Sequence, residues 1–130
     1  MAIVAVTRAD GSIQTSLVNA GVLTHPVTGE AAVGFVARRA ALKVGLIRRA
    51  GRAALAFRSG WEWASVEGPA TLIGTDDLVP GFDAASVPQL LRDVFTAAGG
   101  THDDWAEFDR VMAAEERLAV FVTPERISTN

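Results

Sequence analysis

The sequence predicts a mainly β (α+β) domain: six antiparallel strands in a small, partly open barrel, with one short crossover helix and two late helices packed on it. Three observations carry that prediction. Apolar, β-branched segments alternate with turn chemistry from the N-terminus to residue 73. The hydrophobic period turns helical in only three places, and the links between the first strands are short, which favours antiparallel pairing. At 130 residues the chain reads as a single domain over 1–130, long enough to bury a core of its own.

Ala2–Arg8 is the first strand, and Ala9-Asp10-Gly11 turns the chain into Ser12–Val18, a hairpin signal because Asp-Gly tolerates the positive backbone angles of a tight turn. Asn19–Leu23 extends the second strand beyond a kink at Gly21. After the turn His25-Pro26-Val27-Thr28-Gly29, the third strand is Ala31–Ala37, with Ala31, Val33, Phe35 and Ala37 on one face. Ala40–Arg48 is the crossover helix: Leu42, Leu46 and Arg49 recur at helical spacing, Gly51 is its stop, and Gly45 weakens it by roughly 1 kcal/mol relative to alanine.

Ala53–Arg58 is the fourth strand and Trp61–Ile73 a long fifth, placing Trp61, Trp63, Ser65 and Glu67 on one face. Gly68-Pro69 interrupts it, and since proline cannot donate to a ladder, a bulge, bend or edge position is expected there. Residues 74–85 are a polar loop. Ser86-Val87-Pro88-Gln89 has the form of a capping box, with Ser86 as N-cap of a helix that reaches Ala98 and ends at Gly99-Gly100. Thr101 and Asp104 open a further helix carrying Trp105, Phe108, Val111 and Met112, and Leu118–Val122 is the sixth strand.

Composition narrows the function classes. The chain is 49% hydrophobic and 21% charged, as soluble globular proteins are, and holds no cysteine, which removes disulfides, thiolate metal sites and thiol nucleophiles together. No apolar run approaches a membrane span and the N-terminus lacks the order of a signal peptide, so a cytoplasmic protein without a membrane partner is expected. The net charge of -3 hides an asymmetry: residues 31–60 hold seven of the twelve basic residues (Arg38, Arg39, Lys43, Arg48, Arg49, Arg52, Arg58) and no acid. A concentrated basic segment in an acidic chain suggests a local anion site, not a nucleic-acid partner, which calls for a basic domain. The competing reading is a solvated face on which arginines alternate with apolar residues.

The catalytic inventory is thin. His25 sits in a proline turn and His102 at a helix start, and without a second histidine at ligand spacing both read as surface or capping residues, leaving no metal site. No nucleophile elbow, zinc-protease, phosphate-loop or dinucleotide motif is present. Asp103-Asp104 and Glu115-Glu116 are adjacent acids that do not face each other on a helix. No catalytic residue can be named, and a chain without its own acid, base or nucleophile borrows chemistry from an organic cofactor if it is an enzyme.

Two stretches go further. Lys43, followed by Leu46-Ile47-Arg48-Arg49-Ala50-Gly51-Arg52, and the run Phe57-Arg58-Ser59-Gly60-Trp61-Glu62-Trp63-Ala64-Ser65-Val66-Glu67-Gly68-Pro69-Ala70 stand in a recognisable order. The opening Ala5-Val6-Thr7-Arg8-Ala9-Asp10-Gly11-Ser12-Ile13-Gln14-Thr15-Ser16 precedes them. The tail Ala98-Gly99-Gly100-Thr101-His102-Asp103-Asp104-Trp105, then Val111-Met112 and Val122-Thr123-Pro124-Glu125-Arg126, follows. Together they resemble the flavin/deazaflavin (F420)-dependent oxidoreductase family, the branch related to pyridoxamine 5'-phosphate oxidase, from about residue 2 to residue 127. No single motif is specific; their order and spacing are.

The resemblance implies an FMN-binding split β-barrel, a homodimer with two cofactor sites at its interface, using coenzyme F420 or, in relatives, FMN. In such families the phosphate lies against basic residues after the third strand, where Lys43 matches. The family often has an arginine just before that lysine and an asparagine three residues after it; here Ala41 or Leu42, and Leu46, hold those places, so Arg38, Arg39 or Arg48 would compensate. Gln14, Ser16 and Val18 match the strand that borders the ring system. A helix common in the family before the first strand is absent from this sequence.

The residues support this in kind. F420 carries a phosphodiester and an oligoglutamate tail and needs several cations along a groove, and Lys43 is the only lysine, set inside the basic segment. Its other reading is a helix-end charge. Trp61 and Trp63 either stack near the ring or serve as core or dimer-contact aromatics, and Gln14 and Ser16 either line the site or are exposed strand residues. The expected activity is F420-dependent reduction of a small unsaturated or conjugated acceptor, with an FMN oxidoreductase, a non-enzymatic F420 carrier or another anion-binding module as the alternatives.

Overall fold

In the computed structural model, which describes residues 1–130, β1 (Ala2–Thr7) and β2 (Ile13–Val18) form the expected hairpin. Gly11 takes a φ of 87° in its turn, and the Asp10 carboxylate accepts from the Ser12 amide (2.9 Å) and hydroxyl (2.6 Å). β3 (Ala20–Thr24), β4 (Ala31–Arg38), α1 (Leu42–Ala50), β5 (Arg52–Ser59) and β6 (Glu62–Ile73) follow. Then come a single 3-10 turn (Ala84–Ser86), α2 (Val87–Ala97), α3 (Trp105–Ala114), β7 (Arg117–Val122) and β8 (Arg126–Thr129).

Every pairing is antiparallel, in the order β2-β1-β5-β6-β7-β4-β3, with β8 added on β6. The strands therefore number eight, not six. Asn19–Leu23 does not extend the second strand: the chain breaks at Asn19, and β3 pairs with β4 instead of β1. Gly21 is not the kink; it lies in β3 against the end of α2, where a Cβ would stand 2.1 Å from the Ala97 carbonyl oxygen. β8 is exposed along its whole length, so no alternation of apolar residues marks it in the sequence.

β6 turns the corner of the barrel. Glu62–Pro69 pairs with β5 and Ala70–Ile73 with β7, so the interruption at Gly68-Pro69 is a bend at which one strand passes between two sheets. Glycine is required there, because a Cβ on Gly68 would lie 1.9 Å from the Thr123 carbonyl oxygen. β4 and β7 are buried on both faces. Val33, Phe35, Ala37, Leu118, Val120 and Val122 join Val4, Val44, Ile47 and Leu55 in the barrel core. Ala32, Ala119 and Phe121 pack with Ile73, Val87, Leu90, Leu91, Val94 and Phe108 in a second core under α2 and α3.

Helix ends follow local chemistry, with one correction. Gly51, at φ 70°, stops α1 by donating its amide to the Ile47 carbonyl. The Asp104 carboxylate caps α3 by accepting from the Glu107 amide at 3.1 Å. The capping box at Ser86 does not form. Ser86 has helical backbone angles and bonds no amide; the Asp83 side chain caps the preceding 3-10 turn through the Ala85 amide, and Gln89 donates to Asp93. An N-cap needs extended backbone angles, which the 3-10 turn takes away from Ser86.

Candidate functional site

The basic segment divides into two clusters once folded. α1 sets Lys43 and Arg48 five residues apart, roughly 140° around the helix axis, so they face different ways. Arg48 bonds the Asp77 carboxylate, and Arg39 Nε lies 3.8 Å from the same group; with its side chain 7% exposed, Asp77 ties the β4–α1 link, α1 and the 74–85 loop together. Arg49 donates to the Thr7 carbonyl, Arg52 pairs with Glu125, and Arg58 donates to the Gly60 carbonyl.

The second cluster is a groove. Arg38 at the end of β4, Lys43 on α1 and Arg117 at the start of β7 line a cavity of about 290 Å³, with Leu17, Val18, Asn19, Val36, Ala37 and Ala41 completing its wall and no acid among them. Arg38 and Arg117 are directly opposed in the β4–β7 ladder, an arrangement that repels unless it is compensated. Glu115 compensates it, accepting from Arg38 Nη2 at 2.9 Å and from Arg117 Nε at 3.2 Å. Lys43 enters no ion pair. Two guanidinium groups thus share one carboxylate while the ammonium beside them has none, and the groove is suited to an anion.

Gln14, Ser16 and Val18 lie on the face of β2 that looks into the barrel, each opposite a buried residue of β1: Val6, Val4 and Ala2. Gln14 Oε1 and Ser16 Oγ are buried without a hydrogen-bond partner. Such atoms cost roughly 1–3 kcal/mol apiece when left unmet, so a ligand that pairs with them is favoured. Val18 connects this strip to the cationic groove.

Trp61 and Trp63 stand apart from it. Trp61 sits in the β5–β6 turn, 92% exposed, with its carbonyl accepting from Asn130 Nδ2. Trp63, 45% exposed, lies on the outward face of the sheet, and its amide donates to Asn130 Oδ1. That face also carries Ile3, Ile13 and Leu17, all exposed, with Leu17 opposite Ile3 and Ile3 opposite Ala56.

The histidine readings divide. His102 is a turn residue whose Nδ1 accepts from the Asp104 amide. His25 is not at the surface: only 3% exposed, it packs on Phe121 with ring centroids 5.2 Å apart. Its Nδ1 accepts from the Val27 and Thr28 amides at 3.1 and 3.3 Å, and Nε2 lies 3.3 Å from Thr71 Oγ1. Burial lowers its pKa, against a weaker opposing pull from Glu30. The apolar bed of Phe121 lies on the far side of the turn and leaves no local sequence signal. Asn19, Glu115 and Arg117 also escape sequence reasoning, because only long-range pairing, β3 with β4 and β4 with β7, gathers them around Arg38.

No protein-family model and no curated protein sequence matches the chain. Solved structures do. A conserved hypothetical protein of Mycobacterium tuberculosis superimposes with a TM-score of 0.70 at 17% identity, over 98% of this chain and 74% of that one. An F420 reductase gives 0.64 at 14%, over 98% and 87%. A pyridoxamine 5'-phosphate oxidase-related, FMN-binding protein of Nostoc punctiforme gives 0.61 at 13%, over 98% and 72%. The chain shares the fold of these proteins, a mainly antiparallel β barrel with helices packed on it. At these identities the likeness is one of fold, and what it hosts must be argued from the groove.

Proposed function

We propose that the chain is an oxidoreductase that binds coenzyme F420 and directs hydride transfer to a small unsaturated or conjugated acceptor. One observation carries this reading: Arg38, Lys43 and Arg117 line one groove that no acid lines, and the single carboxylate nearby, Glu115, pairs with the two arginines and leaves Lys43 without a partner. A phosphodiester with an acidic tail suits that excess better than a single phosphate does. The orphaned Gln14 Oε1 and Ser16 Oγ fit a polar ring edge, so the residues present suit a flavin-type group.

In this reading Lys43, Arg38 and Arg117 hold the phosphate, and Gln14, Ser16 and Val18 border the ring. Arg39 and Arg48 act at one remove, fixing α1 through Asp77. When bound, the reduced deazaflavin supplies the hydride. The chain's part is orientation and exclusion of water. The groove's lining holds no carboxylic acid or imidazole, so the accompanying proton would come from solvent. Trp61 and Trp63 reach the site only from a second copy, joined through the outward face that carries Ile3, Leu17 and Trp63; the homodimer belongs to the proposal.

FMN is the second reading, supported by the likeness to an FMN-binding protein. Titration of the purified chain with F420 and, separately, FMN, followed by ring fluorescence, tests both. Tight F420 binding with weak FMN binding is expected, and the reverse order transfers the proposal to FMN. Turnover of reduced F420 with a panel of acceptors then distinguishes an enzyme from a carrier. Binding of neither cofactor overturns the reading.

A further inference from the structure

A larger cavity adjoins the cationic groove and has a different character. It measures about 400 Å³ and is lined by Val36, Val94, Phe95, Phe108 and Met112, with the Ala98-Gly99-Gly100 backbone as a further wall. Asn19, Val36 and Arg117 line both spaces, so the two compartments meet at Arg117. Glycine builds the wall: a Cβ on Gly100 would stand 2.5 Å from the Phe95 ring, so only a bare backbone lets that ring lie beneath the loop. The loop's own amides are satisfied, Ala98 by Val94, Gly99 by Thr96 and Gly100 by Phe95. The polar side chains left to a ligand are Asn19 and Arg117, and no acid lines the space.

We infer that this compartment binds a flat, apolar molecule bearing one carboxylate, with its body against Phe95, Phe108 and Met112 and its carboxylate on Arg117. Each part of the ligand has a counterpart. A volume of 400 Å³ lies within the range of small-molecule sites, roughly 300–1,000 Å³. Phenyl rings and a thioether favour aromatic partners through ring-edge and sulfur contacts. Glu115 occupies the Nε and Nη2 side of Arg117, and Nη1 makes no bond, so the guanidinium retains donors for a second, planar acceptor. Apart from Asn19, Val36 and Arg117, which line both spaces, the residues are those of α2, α3 and their loop, which the cofactor reading does not use, so the apolar body of the site is the same whichever cofactor the groove takes.

The test needs no cofactor. The ¹⁵N-labelled chain is titrated with naphthalene-1-carboxylate and with its neutral counterpart, naphthalene-1-methanol, following backbone amide shifts. Saturable shifts at Asn19, Phe95, Gly99, Gly100 and Phe108 are expected for both, with the carboxylate bound roughly tenfold more tightly. Arg117→Gln should bring the carboxylate to the affinity of the alcohol and leave the alcohol unchanged. Equal affinity of the two probes for the wild-type chain would overturn the inference without any variant. So would shifts confined to the outward face around Ile3, Leu17 and Trp63, or no saturable shift at all.

Discussion

Arg38 and Arg117 occupy directly opposed positions in the β4–β7 ladder, and the Glu115 carboxylate, bonded to both, is what allows two guanidinium groups to stand side by side. Glu115→Gln keeps the shape and removes the compensating charge. The variant should lose about 1 kcal/mol of stability, a small figure because all three side chains are partly exposed. It should also bind inorganic phosphate more tightly than the wild-type chain. Urea unfolding and calorimetric titration read the two effects, and phosphate affinity that stayed the same or fell would remove the groove as an anion site.

Lys43→Ala should lower cofactor affinity roughly tenfold to hundredfold, the worth of one charge-assisted hydrogen bond. Folding should barely change, since Lys43 makes no ion pair in the chain. Added salt should weaken binding by the wild-type protein more than by the variant. Titrations of both proteins at two salt concentrations check this. Unaltered affinity with intact folding would assign Lys43 to the helix end alone.

Light scattering at micromolar concentration should give the mass of a dimer, and Leu17→Glu, which puts a charge on the outward apolar row, should give a monomer. A monomeric wild-type chain would sink both the interface and the placement of Trp61 and Trp63 beside a cofactor.

His25 gives the fold a dependence on acid. Its Nδ1 faces two amide donors and has no room for a proton, and burial lowers its pKa below the ordinary imidazole value of about 6.5. The unfolded chain therefore takes up a proton that the native chain resists. The contribution is whole above about pH 6.5 and is lost as pH falls toward the folded value, at up to about 1.4 kcal/mol per unit. His25→Asn keeps an acceptor for the turn without a titrating ring. Urea midpoints at about pH 7.5 and about pH 5.5 should differ more for the wild-type chain than for the variant. An equal difference in both would place the acid sensitivity elsewhere.

What the sequence made legible was local. The Asp10-Gly11 hairpin, the Gly51 helix stop, the bend at Gly68-Pro69 and the Asp104 helix start are each written in two to four neighbouring residues. Lys43 could be singled out because it is the one lysine in an acid-free stretch. What stayed hidden was long-range. Nothing near Arg117 in the chain tells of Arg38, which the ladder sets opposite it, and nothing near Arg48 tells of Asp77, which takes it away from Lys43. β8, an exposed strand of four residues, carries no apolar period, and the burial of His25 involves Phe121, far away in the chain.

β7 is among the last elements of the chain, yet it lies in the middle of the sheet, between β6 and β4. During synthesis its neighbours emerge first and wait with unpaired edges until residues 117–122 arrive to close the seam. Its first residue is Arg117. Closing the seam and bringing the third cation to the groove are thus one event, and a chain stalled short of β7 has neither a finished barrel nor all three cations in its groove.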